Sequence, residues 1–295
     1  MVASSSLITQ RRILLNSRNL VINQQVINHG VAAEVMSEMM SAAEEFFRLP
    51  AEEKMAHYST DAKKFPRFHT SVGNAEEKVL YWRDCLKLVC YPLEQFRPQW
   101  PDKPAGLRTA LEAYTTAVRA VALRLLHLTA AGLGLEEGRF DGELSGGPVL
   151  MNVNHYVPCP DPSLTMGLAP HCDPNLVTVL MDKGAAGLQA RRNGGWVDVV
   201  ALPGAFVVNF GHQMEAITNG CLRSGEHRVL TNARAARTSV VLPEMGCTVA
   251  PAPEMVSDGT PPMCRPYTYD EFVGVYTSET GDRDAVLAHF QTKRC

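Results

Sequence analysis

The spacing of apolar positions changes about halfway along the chain. In residues 31–49, and again from about 106 to 131, apolar residues recur at three- and four-residue steps with charged residues between them. This spacing predicts two amphipathic helices, and Gly132 and Gly134 suit the end of the second. Residues 63–73 are polar and irregular, which predicts a loop or a weak strand.

Beyond Gly146, short β-rich runs separated by Gly, Pro, Asn and Asp replace the helical spacing. Many short strands with turns between them predict a β-sandwich or barrel. Asn193-Gly194-Gly195 lies between two such runs and predicts a hairpin turn. Residues 269–290 return to a helical spacing. The predicted strands are 149–157, 176–181, 188–191, 196–200, 205–210, 227–231 and 238–242.

These patterns predict a mainly β protein with flanking helices. A helical N-terminal part supports a barrel-like β core, and no internal repeat is visible. We divide the chain into an atypical N-terminal extension (1–24), a helical N-terminal region (25–145), a β core (146–250) and a C-terminal helical segment (251–295).

Charge and composition narrow the class of partner. The 295 residues carry a formal net charge of −3, and the isoelectric point is near 6.3. Such a balance gives no electrostatic footprint for nucleic acid or for an anionic membrane. No apolar run is expected to reach the ~20 residues that span a bilayer. We therefore expect a small-molecule partner, with neither nucleic acid nor membrane, and a monomer.

The cysteines and the N-terminus bear on the cellular compartment. The eight cysteines are scattered and form no C-x-x-C pair, which is typical of reduced thiols in a cytoplasmic protein. The first 33 residues contain no Asp or Glu, whereas Ser and Arg accumulate there. Organelle transit peptides share that bias, so targeting stays open as the alternative to the cytoplasm.

The candidate chemistry begins with two histidines and an aspartate. His171 and Asp173 are separated by one residue, so on a strand both side chains point to the same face. His227, at the start of a later predicted strand, can supply a third ligand. Two imidazoles and one carboxylate form the facial triad that binds Fe(II) and leaves coordination positions open.

A second pair of residues follows on the next predicted strand. Arg237 and Ser239 also share a face, which places a guanidinium beside a hydroxyl. Arginine binds carboxylates through a two-pronged fork. A metal triad beside a carboxylate clamp predicts an organic-acid co-substrate.

With these residues in place, the chain resembles the plant-type 2-oxoglutarate/Fe(II)-dependent dioxygenases from about Gln25 to the C-terminus. Within that family it is most similar to hyoscyamine 6-dioxygenase-like, mugineic-acid dioxygenase-like and flavonoid or salicylate hydroxylase-like members. Besides the two groups above, the resemblance rests on Val26-Ile27-Asn28-His29-Gly30-Val31, Phe46-Phe47-Arg48-Leu49-Pro50, Tyr81-Trp82-Arg83-Asp84, Asn154-His155-Tyr156-Val157-Pro158-Cys159-Pro160, Gly187-Leu188-Gln189 and His227-Arg228-Val229.

The resemblance implies a fold, a set of cofactors and a reaction. The fold is a double-stranded β-helix (jelly-roll) core, and the reaction hydroxylates or desaturates a small specialised metabolite. O₂ is consumed, 2-oxoglutarate becomes succinate and CO₂, and ascorbate serves as reductant. No catalytic residue is implied beyond the metal centre. By matching position, His171, Asp173 and His227 bind Fe(II), Arg237 and Ser239 hold the distal carboxylate of 2-oxoglutarate, and Tyr156 and Asn154 add hydrogen bonds to it.

Two alternatives stay open on the residues alone. Residues 1–24 lack the strand, the helix and the Gly-Phe-Phe that relatives carry, so the chain resembles a shortened member that could bind a small molecule without turnover. A zinc hydrolase could use the same three ligands. The pair Arg237 and Ser239 argues against the hydrolase, because a hydrolase does not need a second carboxylate clamp.

Two neighbouring residues have their own expectations. His212 stands where relatives often carry Asp, and we do not expect it to bind the metal. Cys172 should point away from its neighbours His171 and Asp173. It is expected to be a packed thiol, although a thiol of low pKa near iron would be sensitive to oxidation.

Overall fold

A computed structural model describes residues 20–21, 23–71, 80–243, 248–279 and 281–292. Its strands, in chain order, are β1 (Leu20–Val21), β2 (Asn23–Val26), β3 (Arg67–Ser71), β4 (Leu80–Tyr81), β5 (Arg83–Tyr91), β6 (Val149–Tyr156), β7 (Thr165–His171), β8 (Val177–Gly184), β9 (Leu188–Arg192), β10 (Gly195–Asp198), β11 (Phe206–Phe210), β12 (Leu222–Arg223), β13 (His227–Leu230), β14 (Arg237–Pro243), β15 (Thr248–Val249) and β16 (Tyr267–Thr268).

Most of these strands form two sheets that face each other as a jelly roll. The major sheet is antiparallel throughout and runs β2-β11-β8-β14-β6-β5-β3. The minor sheet runs β10-β9-β13-β7-β4. Buried side chains of both sheets pack in one cluster between them: Tyr156, Leu180 and Val207 from the major sheet, and Leu188 and Val229 from the minor sheet. We call the side of the major sheet that carries these residues its inner face.

The two long helices, α1 (Ala33–Arg48) and α4 (Leu107–Leu133), cover the other side of the major sheet, its outer face. The shorter helices among the described residues are α2 (Ala51–Met55), α3 (Leu93–Phe96), α5 (His212–Ile217), α6 (Tyr269–Ser278) and α7 (Arg283–Ala288). Side chains of α1 and α4 share one large apolar core with alternate residues of the major sheet, such as Leu88, Val153 and Val240. The alternation of strand side chains therefore gives the sheet one apolar face and one mixed face.

The predicted elements are largely confirmed. Both long helices form, the tail is helical as α6 and α7, and each predicted strand is present within a few residues of its expected ends. The hairpin at Asn193 joins β9 to β10, with Arg192 paired to Gly195. Residues 63–73 contain a genuine strand, β3.

Two long strands were not predicted, because neither has a plain apolar alternation. In β5, Cys85 and Lys87 alternate with Leu86 and Leu88 along the strand, and β7 contains Gly167 and Pro170. The region 25–145 therefore contributes three strands as well as helices. The segment 1–24 also ends in strand: β1 pairs with β12 and β2 with β11. Residues 1–19, where the transit-peptide bias lies, are outside the described residues. The four segment boundaries stay a prediction.

Two expectations from composition can be compared with the structure. Among the described residues, α4 is the one helix that could cross a membrane by length and composition alone. In this fold one side of α4, including Leu111, Tyr114 and Val118, is buried in the core. Six cysteines lie in the described residues, and all six are free thiols.

Candidate metal centre

Strand pairing brings the two predicted histidine ligands together. His171 ends β7 and His227 begins β13, and the two residues are direct partners in the antiparallel ladder. Their ring centroids are 4.3 Å apart. Asp173 follows two residues after His171, and its Oδ1 lies 3.7 Å from His171 Nε2 and 3.8 Å from His227 Nε2. One ligand atom from each of the three side chains lies within 4.8 Å of the others.

Backbone carbonyls fix which nitrogen each imidazole offers. His171 Nδ1 lies 2.8 Å from the carbonyl oxygen of Ala169, and His227 Nδ1 lies 2.9 Å from that of Gly225. Each Nδ1–H therefore donates to the backbone, and the Nε2 lone pair is left for a metal. This arrangement is common in metal sites, where a hydrogen bond to one nitrogen orients the other.

The protonation states also suit a cation. Burial, followed by the neighbouring His227, lowers the pKa of His171 to about 4, so its ring is neutral at pH 7. Burial alone would raise the pKa of Asp173, but the two histidines outweigh burial and hold it below its ordinary value. The carboxylate is thus ionised and the imidazole is unprotonated, as metal ligands must be.

The loop that carries Asp173 is held by a close backbone contact. Gly211, just before α5, lies so near that a Cβ there would be 2.1 Å from the carbonyl oxygen of Asn175. The next residue, His212, donates its backbone N–H to the carbonyl oxygen of Asp173 at 2.8 Å. A side chain at position 211 would force the loop away, because a Cβ essentially never sits this close to another atom.

The predicted co-substrate residues form one block on the inner face. In the ladder between β6 and β14, Arg237 pairs with Tyr156 and Ser239 with Asn154. Asn154 Nδ2 lies 3.4 Å from Ser239 Oγ, and the Arg237 guanidinium lies over the Tyr156 ring, 5.1 Å from its centroid. Arg237 is only 3% exposed. The structure thus brings together all seven residues predicted for the site in two neighbouring groups.

An aspartate that was not predicted occupies one side of this block. Asp182, near the end of β8, pairs with Ser239 in the ladder and reaches Arg237. Arg237 Nε lies 2.9 Å from Asp182 Oδ1, and Nη2 donates to Oδ2 at 2.9 Å. The sequence did not predict a role for Asp182, because the apolar run of β8 stops at Met181 and the predicted strand therefore ended one residue earlier. Only the pairing of β8 with β14 reveals it.

Several buried polar atoms in this region have no hydrogen-bond partner among the described residues. In native proteins such atoms are nearly always satisfied, so a cluster of them indicates a ligand site. At the metal group the atom is Asp173 Oδ2, and at the block it is Arg237 Nη1 together with Asn154 Oδ1. At the metal group the unpartnered Asp173 Oδ2 is an acceptor that suits a cation. At the block, the unpartnered Arg237 Nη1 is a cationic donor that suits an anion.

The two neighbouring residues behave mostly as expected. His212 is fully buried and packs against the rings of Phe272 and Tyr276, with centroids 5.4 and 6.1 Å away. It is not part of the ligand cluster found among the described residues. Burial raises the pKa of Cys172 to about 12, so this thiol stays protonated and the low-pKa alternative was wrong.

Comparison with known proteins gives a consistent result. Residues 148–243 match the family described as the 2OG-Fe(II) oxygenase superfamily. Residues 24–103 match the N-terminal region described as that of non-haem dioxygenases in morphine synthesis.

Among curated relatives, the chain is 43% identical to 2'-deoxymugineic-acid 2'-dioxygenase of Hordeum vulgare over 85% of its own length and 76% of the relative. It is 42% identical to flavanone 3-dioxygenase 2 of Oryza sativa subsp. japonica, over 91% and 80%. It is 38% identical to hyoscyamine 6-dioxygenase of Hyoscyamus niger, over 88% and 80%.

Among solved structures, JOX2 in complex with 2OG, Fe and JA superposes with a TM-score of 0.88 at 28% identity, over 97% of this chain and 86% of that one. The dioxygenase for auxin oxidation in rice superposes with a TM-score of 0.82, over 97% and 95%. At 24% identity, this second likeness supports the fold alone.

Proposed function

Because this chain belongs to the 2-oxoglutarate- and Fe(II)-dependent oxygenase superfamily, we propose that it hydroxylates or desaturates a small specialised metabolite at an iron bound by His171, Asp173 and His227. One observation carries the assignment: three converging ligand atoms lie near a buried arginine that has an unpartnered N–H. Bound iron and O₂ supply the oxidising power, and 2-oxoglutarate is converted to succinate and CO₂.

The three ligands fit iron by their chemistry and by their support. The two Nε2 atoms and the Asp173 carboxylate would hold the ion, and a set of three protein ligands would leave coordination positions for co-substrate and O₂. The backbone carbonyls behind each imidazole keep the rings in place when the ion is absent. A preorganised set of this kind costs little rearrangement on metal binding.

The block on β6 and β14 fits the distal carboxylate of 2-oxoglutarate. Arg237 offers Nη1, the donor that the described residues leave unpartnered, and Ser239 offers its hydroxyl. Asn154 and Tyr156 stand beside them in the same ladder and add polar contacts. We assign Arg237 and Ser239 to the carboxylate, and Tyr156 and Asn154 to orienting the co-substrate.

Asp182 modifies this clamp. Because it already neutralises Arg237, a second carboxylate entering the clamp meets a neutral pair rather than a bare cation. Two carboxylates sharing one guanidinium in a buried site leave one negative charge uncompensated, which is costly. Binding of 2-oxoglutarate therefore has to displace Asp182 from Arg237 or share the guanidinium with it. We expect a weaker affinity for 2-oxoglutarate than a clamp without this aspartate would have.

The names of the relatives support a specialised metabolite as substrate. They refer to mugineic acids, a flavanone and hyoscyamine. These compounds differ too much for one pocket shape, so the relatives support the class of reaction rather than a particular compound. The non-catalytic alternative has no support among the relatives compared, and their dioxygenase names argue against the zinc hydrolase.

We further propose that the enzyme acts as a cytoplasmic monomer, with ascorbate keeping the iron reduced and without nucleic-acid or membrane partners. The net charge of −3 supports the absence of a polyanion partner. Size-exclusion chromatography with light scattering tests the monomer, and turnover numbers with and without ascorbate test the reductant.

Succinate production tests the proposal. Purified protein with Fe(II), 2-oxoglutarate and O₂ should form succinate, faster when a suitable metabolite is present, and zinc should not replace iron. Arg237→Ala should raise the KM for 2-oxoglutarate by roughly tenfold to a hundredfold, because it removes a charged hydrogen-bond donor. The exposed Arg234 provides the matched control, since Arg234→Ala should leave KM unchanged. Folded, iron-loaded protein that forms no succinate under any condition would point to the binding protein instead.

A further inference from the structure

The inner face of the major sheet carries a second polar group, away from the metal and the clamp. At the β3–β5 edge, Arg67 pairs with Lys87 and His69 with Cys85 in the antiparallel ladder. All four side chains lie on the inner face, because the alternate residues Phe68, Leu86 and Leu88 belong to the core on the outer face. Arg83, two residues before Cys85, lies on the same face. We call Arg67, Arg83 and Lys87 the edge cations.

The edge cations lie in mutual electrostatic range, and Arg83 and Lys87 are half-buried. Arg67 is only 8% exposed, and its Nε has no hydrogen-bond partner among the described residues. Burial, followed by the charges of Lys87, Arg67 and Arg83, lowers the pKa of His69 to about 3. Burial is also the first cause that lowers the pKa of Lys87, with Arg83 and Arg67 adding to it. His69 is therefore neutral, and its Nδ1 is a further buried atom without a partner.

No carboxylate of the described residues balances Arg67 or Lys87. Neither forms an ion pair there, and no carboxylate is among the groups that shift the pKa of Lys87 or of His69. This contrasts with Arg237, which Asp182 neutralises. Holding like charges together out of water is unfavourable unless something negative joins them.

The position of the edge cations suits a molecule that also reaches the metal. In the ladder, Cys85 pairs with Asn154, and Asn154 pairs with Ser239 of the clamp. Neighbouring strands are about 4.8 Å apart, so β5 lies roughly 10 Å from β14 across the open inner face. Arg83 also links the two groups, because its side chain hydrogen-bonds Tyr156 of the clamp.

We propose that the edge cations bind an anionic group of the substrate, and that the substrate class is small carboxylic acids. The guanidinium of Arg67 and the ammonium of Lys87 hold the carboxylate, and His69 donates to it from Nδ1 when that nitrogen carries the ring proton. The carboxylate anchors one end of the substrate about 10 Å from the clamp strand, and a carbon further along faces the metal. This proposal rests on the proposed function, since it names the substrate of that site.

Paired compounds test the proposal. Iron- and 2-oxoglutarate-loaded protein is titrated anaerobically with aromatic and aliphatic carboxylic acids, each matched with its primary amide, and binding is followed by calorimetry. The acids should bind at least about tenfold more tightly than their amides, since each charged hydrogen bond favours the anion by roughly this factor or more. In Lys87→Met this preference should fall by about tenfold, since the variant loses one of the two cations that hold the carboxylate. The control is Lys183→Met, which removes an exposed lysine on the same sheet that pairs with Glu44.

A second readout separates ligand binding from a structural role. Without ligand, Lys87→Met should melt at or above the temperature of the wild type, because it removes a charge from a repelling cluster. A lysine that holds the fold together would give the opposite result.

Three results would overturn the proposal. The first is that the carboxylic acids bind to the wild type no more tightly than their amides do. The second is an acid preference that is as large in Lys87→Met as in the wild type. The third is inorganic phosphate that displaces the acids and binds more tightly, which would assign the site to phosphorylated compounds. Failure of the proposed function looks different: protein that never binds 2-oxoglutarate would still show the acid preference when calorimetry is repeated on the unloaded chain.

Discussion

The two faces of the major sheet are built from the same strands but differ in almost every property. On the outer face, Leu86 and Leu88 of β5 and Met151 and Val153 of β6 are at most 1% exposed and pack against helices. On the inner face, the residues between them are Cys85, Lys87, Asn152 and Asn154, and the amide oxygens of both asparagines are buried without partners among the described residues. These outer-face strand residues are packed by the chain itself, whereas the inner-face residues present open polar atoms.

The difference separates stability from function in this molecule. Apolar burial on the outer face is worth about 25 cal/mol for each Å² and needs no ligand. Buried polar atoms on the inner face cost stability until something pairs with them. Substitutions on the outer face should therefore change folding, whereas substitutions on the inner face should change binding and turnover.

The largest effect is expected at the metal. His227→Ala removes one of three ligands, and we expect succinate formation to fall roughly a thousandfold, since metal stabilisation of charge is worth several kcal/mol. The melting temperature of the metal-free protein should change little. His289→Ala provides the control, because His289 is on the surface and pairs with Glu279. A variant that keeps its turnover would remove His227 from the ligand set.

On the outer face, Leu88→Ala should lower the free energy of unfolding by about 2–5 kcal/mol, because Leu88 is fully buried and the change leaves a cavity. The KM for 2-oxoglutarate should stay the same in the protein that remains folded. Chemical denaturation measures the first quantity and the succinate assay the second. A change in the KM for 2-oxoglutarate without a loss of stability in Leu88→Ala would contradict the proposed difference between this outer-face residue and its inner-face neighbour Lys87.

Where the two sheets touch, Gly167→Ala should affect both properties. A Cβ at this position would lie 2.7 Å from Cδ1 of Tyr156 and 3.0 Å from Cγ1 of Val229. Overpacking of this kind costs roughly 1–3 kcal/mol, and displacing Tyr156 should raise the KM for 2-oxoglutarate. Gly195→Ala is the control, because the nearest atom to its Cβ would be 3.8 Å away. Unchanged kinetics in Gly167→Ala would argue that Tyr156 does not orient the co-substrate.

The smallest effect is expected at Asp182, and its sign is informative. Asp182→Asn removes the carboxylate that neutralises Arg237, so the KM for 2-oxoglutarate should fall by on the order of tenfold, or about 1.4 kcal/mol. The matched change at the exposed Asp161 should have no effect. A KM that rises would show that Asp182 holds Arg237 in position rather than competing with the co-substrate.

Much of the outer face could be predicted from the sequence, because its apolar residues recur with the period of the element that buries them. The proposed ligands His171, Asp173 and His227 could also be predicted, since their residue types and spacing limit the chemistry. Asp182 and the edge cations could not. Their significance depends on which strands pair: β8 and β14 are separated by more than fifty residues in the chain, and no local pattern fixes that register. The sequence identified Arg83 only as part of the motif Tyr81-Trp82-Arg83-Asp84 and did not indicate that its side chain lies on the inner face.

The central claim is that this chain builds one iron site with a 2-oxoglutarate clamp beside it. Anaerobic titration of the protein with Fe(II) and then 2-oxoglutarate tests it most directly, through the weak visible charge-transfer absorption of iron chelated by a 2-oxo acid. We predict this band in the wild type, its loss in His227→Ala, and its appearance only at higher 2-oxoglutarate concentrations in Arg237→Ala. Folded, iron-loaded wild-type protein that shows no band at saturating 2-oxoglutarate would contradict the account.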